Sequence, residues 1–393
     1  MSLAKIAEKF VMNKLKSIRK GNLKLINYDG KVYHFGELES TLNADIKINN
    51  HKFYLNIILG GSSAMGESHI NKDFHSTNLT DLIELTAKNI NLIYSFSGSL
   101  NLQTFKNILK RIFASNTKSK SLRHISKHYD LGNEFFSNWL DKTLTYSSAI
   151  YENENDTLEE AQKNKYKKLI NLLNVKSGDK VLEIGCGWGG FSEFLAKKHD
   201  VLIDCITISK KQYDYTKKRI FVNGLNNKVN VMFLDYRDLK DKYDKIASIE
   251  MIEAVGDKYL DQYFKTIKNS LNEDGIAAIQ GITIKNELFD RYRTNEDFIQ
   301  KYIFPGGFLP SLDQIKKLTK KNQLNLEQVN SYSKDYAKTI FTWKKNFFSS
   351  WDNILHLGFD DYFKRMWEFY LSYCEAGFKA KNIDLIQFSM SNR

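Results

Sequence analysis

The stretch that decides the fold runs Val181-Leu182-Glu183-Ile184-Gly185-Cys186-Gly187-Trp188-Gly189-Gly190. Its apolar first half predicts a β-strand, its glycines predict a tight turn, and a helix is predicted to begin near Phe191. Glycine lets the backbone take φ > 0 and come close to a ligand. Strand, turn and helix together predict an α/β fold with a cofactor at the turn, although nicotinamide, flavin and other cofactors all use such turns.

An acid in this strand indicates which cofactor the turn takes. Glu183 lies two residues before Gly185, where a carboxylate would repel a pyrophosphate but can balance an ammonium group. This favours S-adenosylmethionine (SAM), a sulfonium cation with an amino-acid tail, over a dinucleotide. Thr207 and Gln212 are the polar residues near the end of the second strand, where an acid usually holds a ribose. Asp235–Asp238 follows the third strand, where SAM enzymes commonly hold the adenine.

Short strands alternate with helices on either side of the turn. This alternation predicts a parallel sheet with helices on both faces and with ligands at the carboxyl ends of the strands. Helices rich in aromatic residues are predicted after Pro310, around Ala337–Phe348 and Tyr362–Phe378. The predicted strands are Lys180–Ile184, Val201–Thr207, Val229–Leu234, Lys245–Glu250 and Gly275–Ile284.

Residues 1–114 are predicted to form a small N-terminal α+β domain. It begins with an amphipathic helix, whose apolar residues recur at three- and four-residue spacing opposite a cationic face. Helices are also predicted near Asp81–Tyr94 and Leu102–Phe113, then a polar linker at 115–127 and a larger domain at 128–393. Asp29-Gly30 predicts a hairpin, and the alternating segments that predict strands are Leu23–Tyr28, Lys31–Phe35, Ala44–Asn49 and Phe53–Leu59.

The composition of the chain excludes several classes of protein. The chain has 393 residues, of which 42% are hydrophobic and 26% charged, and it contains 2 Pro. Such usage excludes a disordered or collagen-like chain. The first residues lack the apolar stretch of a secretion signal, and no apolar run approaches the roughly 20 residues of a membrane span, so we expect the cytoplasm. Three widely spaced cysteines predict neither a disulfide framework nor a metal site.

The positive charge is concentrated in the N-terminal third. Of the net charge of +12, residues 1–127 contribute +10, from 19 basic and 9 acidic residues. This excess predicts an anionic partner, either phospholipid headgroups or nucleic acid, and a solvated basic face is the plain alternative. The amphipathic N-terminal helix can lie in a membrane interface or pack against its own domain.

From about Leu122 onward the sequence resembles the cyclopropane-fatty-acyl-phospholipid synthase family, within the class I SAM-dependent methyltransferases. The resemblance implies a doubly wound Rossmann-like sheet with inserted or appended lipid-site helices. The stretches that carry it, in the family's order, are His128–Phe136, Thr145–Ala149, Leu182–Gly190, Thr207–Gln212, Asp235–Asp238, Met251–Gly256, Tyr302–Gly307 and Asp335–Thr339.

This resemblance implies a reaction on lipid. A methyl group from SAM is added to a cis double bond of an unsaturated phospholipid acyl chain, and a cyclopropane ring closes through a carbocation with loss of a proton. An alkene is a poor nucleophile, so the site must hold it dry and in line with the methyl group. Aromatic faces can stabilise the cation, and the chain has 21 Tyr and 26 Phe.

The resemblance also assigns site residues. Glu253, the backbone N–H of Ile282 and Tyr336 match positions that hold a bicarbonate ion, which takes the proton. Ser148 and Gln280 stand where better-known bacterial members carry Cys and His, and Gln280 cannot take up a proton. A carboxylate beside an anion favours a raised pKa for Glu253. The residues expected to contact SAM are Tyr146, Ser147, Glu183, Gly185, Gly187, Thr207, Gln212, Tyr236 and Arg237.

Alternatives remain open at this point. An enzyme of the same fold could leave a methyl or methylene branch, given Ser148 and Gln280, and a nucleic-acid-binding methyltransferase is the alternative from another class. We expect no nucleic acid as partner, since no aromatic-basic RNA module is present. Peripheral association with the inner face of the membrane through the basic N-terminal domain, and a homodimer, are further expectations.

Overall fold

The computed structural model describes residues 3–37, 39–60, 63–90 and 131–392. The predicted linker at 115–127, the helix near Leu102–Phe113 and His128 lie outside the described residues. The strands are β1 (Asn22–Ile26), β2 (Val32–Gly36), β3 (Asn43–Ile48), β4 (Phe74–His75), β5 (Lys180–Ile184), β6 (Leu202–Thr207), β7 (Val229–Phe233), β8 (Tyr243–Ile249), β9 (Leu271–Ile284), β10 (Asn325–Ser331) and β11 (Ile383–Ser391).

The helices in the described residues fill the intervals between these strands. They are α1 (Leu3–Leu15), α2 (Lys52–Gly60), α3 (Ala64–Ile70), α4 (Leu79–Lys88), α5 (Asn133–Ser137), α6 (Leu158–Leu173), α7 (Gly190–Lys198), α8 (Lys210–Val222), α9 (Ile252–Val255), α10 (Leu260–Ser270), α11 (Asn286–Thr294), α12 (Leu312–Lys321), α13 (Ser333–Ser349), α14 (Trp351–His356) and α15 (Asp361–Lys379). Short 3₁₀ turns lie at Tyr236–Asp238 and Asp257–Tyr259, and a π-helical turn lies at Ile299–Ile303.

One of two compact units is built on the N-terminal segment. It combines the described residues up to Ile90 with two later stretches, Asp290–Ile303 and Ile354–Asn382. Its four-stranded sheet has the order β2-β1-β3-β4, and the hairpin predicted at Asp29-Gly30 joins β1 to β2. Chain segments far apart in sequence thus share this unit, and buried Thr80 of α4 donates a hydrogen bond to Glu375 of α15 at 3.0 Å.

The prediction of a strand over Phe53–Leu59 is wrong, because this segment is helix α2. Its apolar run is nearly continuous, and a short run of that kind does not distinguish strand from helix. Adjacent Phe53 and Tyr54 are both buried, which strand geometry would place on opposite faces. Asn50 starts the helix, since its side chain accepts the N–H of Lys52 and its carbonyl accepts the N–H of Phe53.

The other unit contains the seven-stranded sheet, in the order β10-β11-β9-β8-β5-β6-β7. All five predicted strands of this region are confirmed, and β9, β8, β5, β6 and β7 pair in parallel. The sequence did not reveal β10 and β11. Strand β11 runs antiparallel between β9 and β10, so the sheet is mixed at one edge.

Helices cover the central strands and build a dry core against them. Leu169, Leu195 and Ala247 are fully buried in one cluster with residues of β6 and α7. The helices predicted around Ala337–Phe348 and Tyr362–Phe378 are confirmed as α13 and α15. Among the described residues, no helix combines the length and the apolar character needed to cross a bilayer.

Candidate active site

The glycine turn after β5 has the backbone that its sequence predicts. Gly185, Gly187 and Gly189 have φ of +83°, +52° and +81°, in the region that disfavours other residues. A Cβ on Gly185 would lie 2.9 Å from Met251 Cγ, whereas a Cβ on Gly187 would meet nothing within 4 Å. Gly185 is therefore required by packing, and Gly187 leaves open space at the turn.

Glu183 lies at the tip of β5 and is 2% exposed. Its Oε2 accepts a hydrogen bond from the Ser192 hydroxyl on α7. Burial raises the pKa of Glu183 to about 7, against the hydrogen bonds from Ser192 and the positive charges of Lys165 and Arg219. The carboxylate can therefore change its charge near neutral pH when a cationic ligand arrives.

The neighbouring strands bring the other predicted cofactor residues to the same edge of the sheet. After β6, the Thr207 hydroxyl donates to Gln212 Oε1 at 3.1 Å, and both residues are buried. After β7, Arg237 donates to Asp235 from Nε at 2.8 Å and from Nη2 at 2.6 Å. The guanidinium of Arg237 thus braces its own turn, and the Tyr236 ring packs edge-on against Tyr263 at 5.6 Å.

Tyr146 belongs to an aromatic cluster on the segment before α6. Its ring centroid lies 5.3 Å from Phe136, 5.4 Å from Trp139 and 5.5 Å from Trp343. Trp343 also contacts the ring of Tyr336, at 6.1 Å. The cluster therefore connects a predicted cofactor residue with a predicted catalytic one through apolar ring faces.

Helix α6 holds the segment that carries Ser147 and Ser148. The Nζ of Lys165, a residue with no exposed surface, donates to Ser147 Oγ at 2.6 Å. Gln162 Nε2 donates to the backbone carbonyl of Ser147 at 2.9 Å. Burial lowers the pKa of Lys165 to about 7, although the charges of Glu250, Asp141 and Glu183 raise it.

Glu250, which directly follows β8, collects hydrogen bonds from three separate parts of the chain. Its Oε1 accepts the backbone N–H of Ser148 and the Nε2 of Gln280, each at 2.8 Å. Its Oε2 accepts the hydroxyl of Tyr336. Burial raises the pKa of Glu250, while Tyr336, Lys165, Ser148 and Gln280 all stabilise its charged form.

Glu253 is placed at the start of α9, three residues after Glu250. Its Oε1 accepts the backbone N–H of Ile282, and its backbone carbonyl accepts the N–H of Phe308 at 2.8 Å. Among the described residues, no donor reaches the buried Oε2. Burial and the charge of Glu250 raise the pKa of Glu253 to about 8, against the Ile282 hydrogen bond, so Glu253 is mostly protonated at neutral pH.

The structure thus groups the predicted catalytic residues around two carboxylates. Ser148, Gln280 and Tyr336 contact Glu250, whereas Ile282 contacts Glu253. Sequence reasoning missed Glu250 and Lys165 as site residues, and it missed Gln387 of β11, whose Nε2 donates to Gln280 Oε1 at 2.9 Å. The spacing Gln162, Lys165, Leu169 is the sequence signal for a lysine on the buried face of α6.

The two expected small molecules differ in how well the residues fit them. The buried acid Glu183, the open space at Gly187 and the polar pair Thr207–Gln212 suit a ligand with an ammonium group and a ribose. Bicarbonate fits less well, because the donors assigned to it already have acceptors within the chain. The N–H of Ile282 is already accepted by Glu253, and the Ser148 hydroxyl donates to the carbonyl of Ala149 at 2.9 Å. Glu250 accepts the backbone N–H of Ser148, the Nε2 of Gln280 and the hydroxyl of Tyr336.

Comparison with known proteins now identifies the family. Residues 116–388 match the family described as mycolic acid cyclopropane synthetase. The chain belongs to this family. It is 34% identical over 353 residues to the cyclopropane-fatty-acyl-phospholipid synthase of Escherichia coli K12, covering 88% of each chain. It is 33% identical to the tuberculostearic acid methyltransferase UfaA1 of Mycobacterium tuberculosis, covering 84% of this chain and 79% of that protein.

Solved structures of the family share the fold. The mycolic acid cyclopropane synthase CmaA1, solved with SAH and CTAB, superposes with a TM-score of 0.65 at 28% identity, over 69% of this chain and 98% of that one. Coclaurine N-methyltransferase shares the fold at 16% identity, with a TM-score of 0.64. The predicted class I methyltransferase fold and the interpretation as a SAM-dependent enzyme related to cyclopropane synthases are confirmed.

Proposed function

We propose that this enzyme transfers the methyl carbon of SAM to the cis double bond of unsaturated acyl chains in membrane phospholipids and closes a cyclopropane ring. The observation that carries the proposal is the carboxylate pair Glu250–Glu253 beside the aromatic cluster of Tyr146 and Trp343. Aromatic faces stabilise a carbocation without attacking it, and a carboxylate nearby can take its proton. The E. coli relative is named for this reaction on phospholipid.

SAM, when bound, supplies an electrophilic methyl group. In this proposal Glu183 accepts from its amino-acid end, and Tyr146 and Ser147 border it. Gly185 and Gly187 admit it closely, and Thr207 with Gln212 holds its ribose. Tyr236 and Arg237 border its adenine, although two N–H groups of Arg237 already donate to Asp235. Buried Trp139 and Trp343 exclude water from the other side of Tyr146.

The test is direct. The protein is incubated with SAM and vesicles of a phosphatidylglycerol that carries one cis-monounsaturated chain, and the acyl chains are analysed by mass spectrometry. The expected product is heavier by one CH₂, and its NMR spectrum shows cyclopropane protons far upfield of olefinic ones. Unchanged acyl chains, from protein that binds S-adenosylhomocysteine (SAH), would overturn the proposal.

A methyl- or methylene-branched product is the second candidate. Gln280 favours it, because an amide cannot relay a proton, and the relative UfaA1 is named a tuberculostearic acid methyltransferase. The same NMR spectrum decides, since a chain with a methylene branch or with a methyl group on a retained double bond gives olefinic or vinylic methyl signals and no upfield protons.

The proposal includes membrane association through α1. Leu3, Ile6 and Phe10 share one helix face and are 75%, 48% and 37% exposed, whereas Ala7 and Val11 are buried. Lysines on the same helix can contact anionic headgroups. The substrate then comes from the inner leaflet, and two copies in a homodimer would strengthen binding.

The membrane part has its own experiment. We expect replacement of Leu3, Ile6 and Phe10 by Ser to reduce sedimentation with anionic vesicles at least fivefold. A matched control replaces Leu202, Phe221 and Val222, which are at least as exposed as Phe10 but lie in the other unit. Equal loss in both variants, or tighter binding of the wild type to RNA than to vesicles, would contradict this assignment.

A further inference from the structure

The Glu250 carboxylate occupies the centre of the donor set that the family resemblance assigns to a bound anion. Ser148 precedes α6, Gln280 belongs to β9 and Tyr336 to α13, and all three donate to Glu250. A side chain of the chain itself therefore supplies the negative charge that these donors were predicted to take from bicarbonate.

The backbone of Glu250 supports a special role. Its φ is +50°, in the left-handed region where glycine is the usual residue. A glutamate held there costs backbone strain, and such strain is kept mainly where the side chain serves the site. The backbone N–H of Glu250 donates to the carbonyl of Gln280 at 2.8 Å, so the strained residue is fixed to β9.

The surrounding charges set the protonation of the pair. Lys165 and three hydrogen-bond donors stabilise the ionised form of Glu250. Glu253 has one backbone donor, and the charge of Glu250 raises its pKa to about 8. Because the charge of Glu250 raises the pKa of Glu253, the pair disfavours two negative charges, and the donors favour Glu250 as the ionised member.

We propose that Glu250 is the general base of the reaction, in the place of a bound bicarbonate. The π electrons of the alkene form the bond to the methyl carbon, the S–CH₃ bond breaks and its electron pair leaves with SAH, so the other alkene carbon becomes cationic. A C–H bond of the new methyl group breaks, its electron pair closes the ring onto the cationic carbon, and the proton goes to Glu250, which becomes a carboxylic acid. The proton passes to solvent before the next turnover.

The hydrogen bonds leave room for that proton. A carboxylate has about four lone-pair positions. Among the described residues, two donors reach Oε1 of Glu250 and one reaches Oε2. The remaining position on Oε2 is the site for the proton, beside the Tyr336 ring that contacts the aromatic cluster.

This inference rests on the proposed function, and bicarbonate provides the test. Turnover on unsaturated phosphatidylglycerol vesicles is measured in CO₂-free buffer with and without added bicarbonate, for the wild type, Glu250→Gly and Glu250→Gln. We expect the wild type to change less than twofold. Glu250→Gly, which opens the space and removes the strain, should lose at least 100-fold and regain at least tenfold with bicarbonate. Glu250→Gln, which fills the space without a base, should stay low in both buffers.

Binding of SAH and thermal unfolding, measured for each variant, show that the cofactor site and the fold are intact. Glu273→Gln, an exposed acid on β9, is the matched control and should behave as wild type. A wild-type rate that rises severalfold with bicarbonate, or a near-normal rate for Glu250→Gln, would overturn only the role of Glu250 and leave the proposed function intact. Acyl chains left unchanged by the wild type would overturn the proposed function together with this inference.

Discussion

Two acidic sites lie on neighbouring parallel strands and are built differently. Glu183 pairs in register with Ala247 of β8, the strand that ends at the turn of Glu250. Burial raises the pKa at both sites. Glu183 sits in regular strand backbone with one side-chain donor, whereas Glu250 takes three donors on strained backbone and Glu253 keeps an oxygen without a partner among the described residues. The first arrangement suits binding of a cation, and the second suits transfer of a proton.

The largest effect should come from Glu253→Gln. The glutamine side chain can donate a hydrogen bond at neutral pH but cannot take up or release a proton. We therefore expect turnover to fall about 100-fold or more while SAH affinity stays within about threefold. Steady-state rates on vesicles and calorimetric SAH binding check this, and near-normal rates would remove Glu253 from the catalytic residues.

Glu183→Gln should affect binding and not proton transfer. We expect the affinity for SAH to fall about 10- to 100-fold, because the amide no longer balances an ammonium group. Wild-type affinity should increase as the pH rises through about 7, where Glu183 ionises, and the variant should lack this increase. Titration calorimetry from pH 6 to 8.5 measures both, with exposed Glu287→Gln as control. Identical pH dependence in wild type and variant would contradict the assignment.

Lys165→Met links the two sites and should have a smaller effect on each. Removing the buried cation should raise the pKa of Glu183, so the midpoint of pH-dependent SAH binding should move upward by about half a unit. Turnover should fall about tenfold, because Glu250 loses a stabilising charge. Lys163→Met, two residues away and partly exposed, should change neither quantity. A lower affinity with an unmoved midpoint would mean that Lys165 only packs against Ser147.

The smallest effect concerns stability. The pKa of Glu253 is raised in the folded state, so its contribution is fully present below the unfolded pKa of roughly 4.5 and is lost as the pH rises through about 8. In Glu253→Gln the amide does not titrate, so this pH-dependent loss of stability is absent. Its melting temperature relative to wild type should therefore be higher at pH 9 than at pH 5, by a few degrees, or on the order of 1–3 kcal/mol. Parallel melting curves at the two pH values would contradict the burial of this acid.

The positions of the predicted cofactor residues at consecutive strand ends could be read from the sequence, because the signals for strand, turn and helix are local. Glu183 in its strand, the glycines of the turn and Thr207 before α8 needed no knowledge of distant contacts. The hydrogen bonds that gather around Glu250 and Lys165 were not predictable in that way. Glu250 meets donors 102, 30 and 86 residues away, at Ser148, Gln280 and Tyr336, and no periodicity encodes such a meeting.

The fold shows the same division between local and distant signals. Five strands with β-branched residues and flanking turns were predicted, whereas α2 was mistaken for a strand because its apolar run has no clear period. Strand β11 escaped prediction although it is almost entirely buried, since its pattern follows from pairing with β9 and β10 and not from its own sequence.

The position of β11 also affects how the enzyme folds during its synthesis. Strand β9 pairs with β11 from Ile276 to Ile284, yet β11 is translated about a hundred residues later. A growing polypeptide on the ribosome consequently exposes one side of β9 as an open edge, which invites wrong partners. Gln280 lies on that edge, and its Oε1 gains the hydrogen bond from Gln387 only after residues 383–391 have been synthesised.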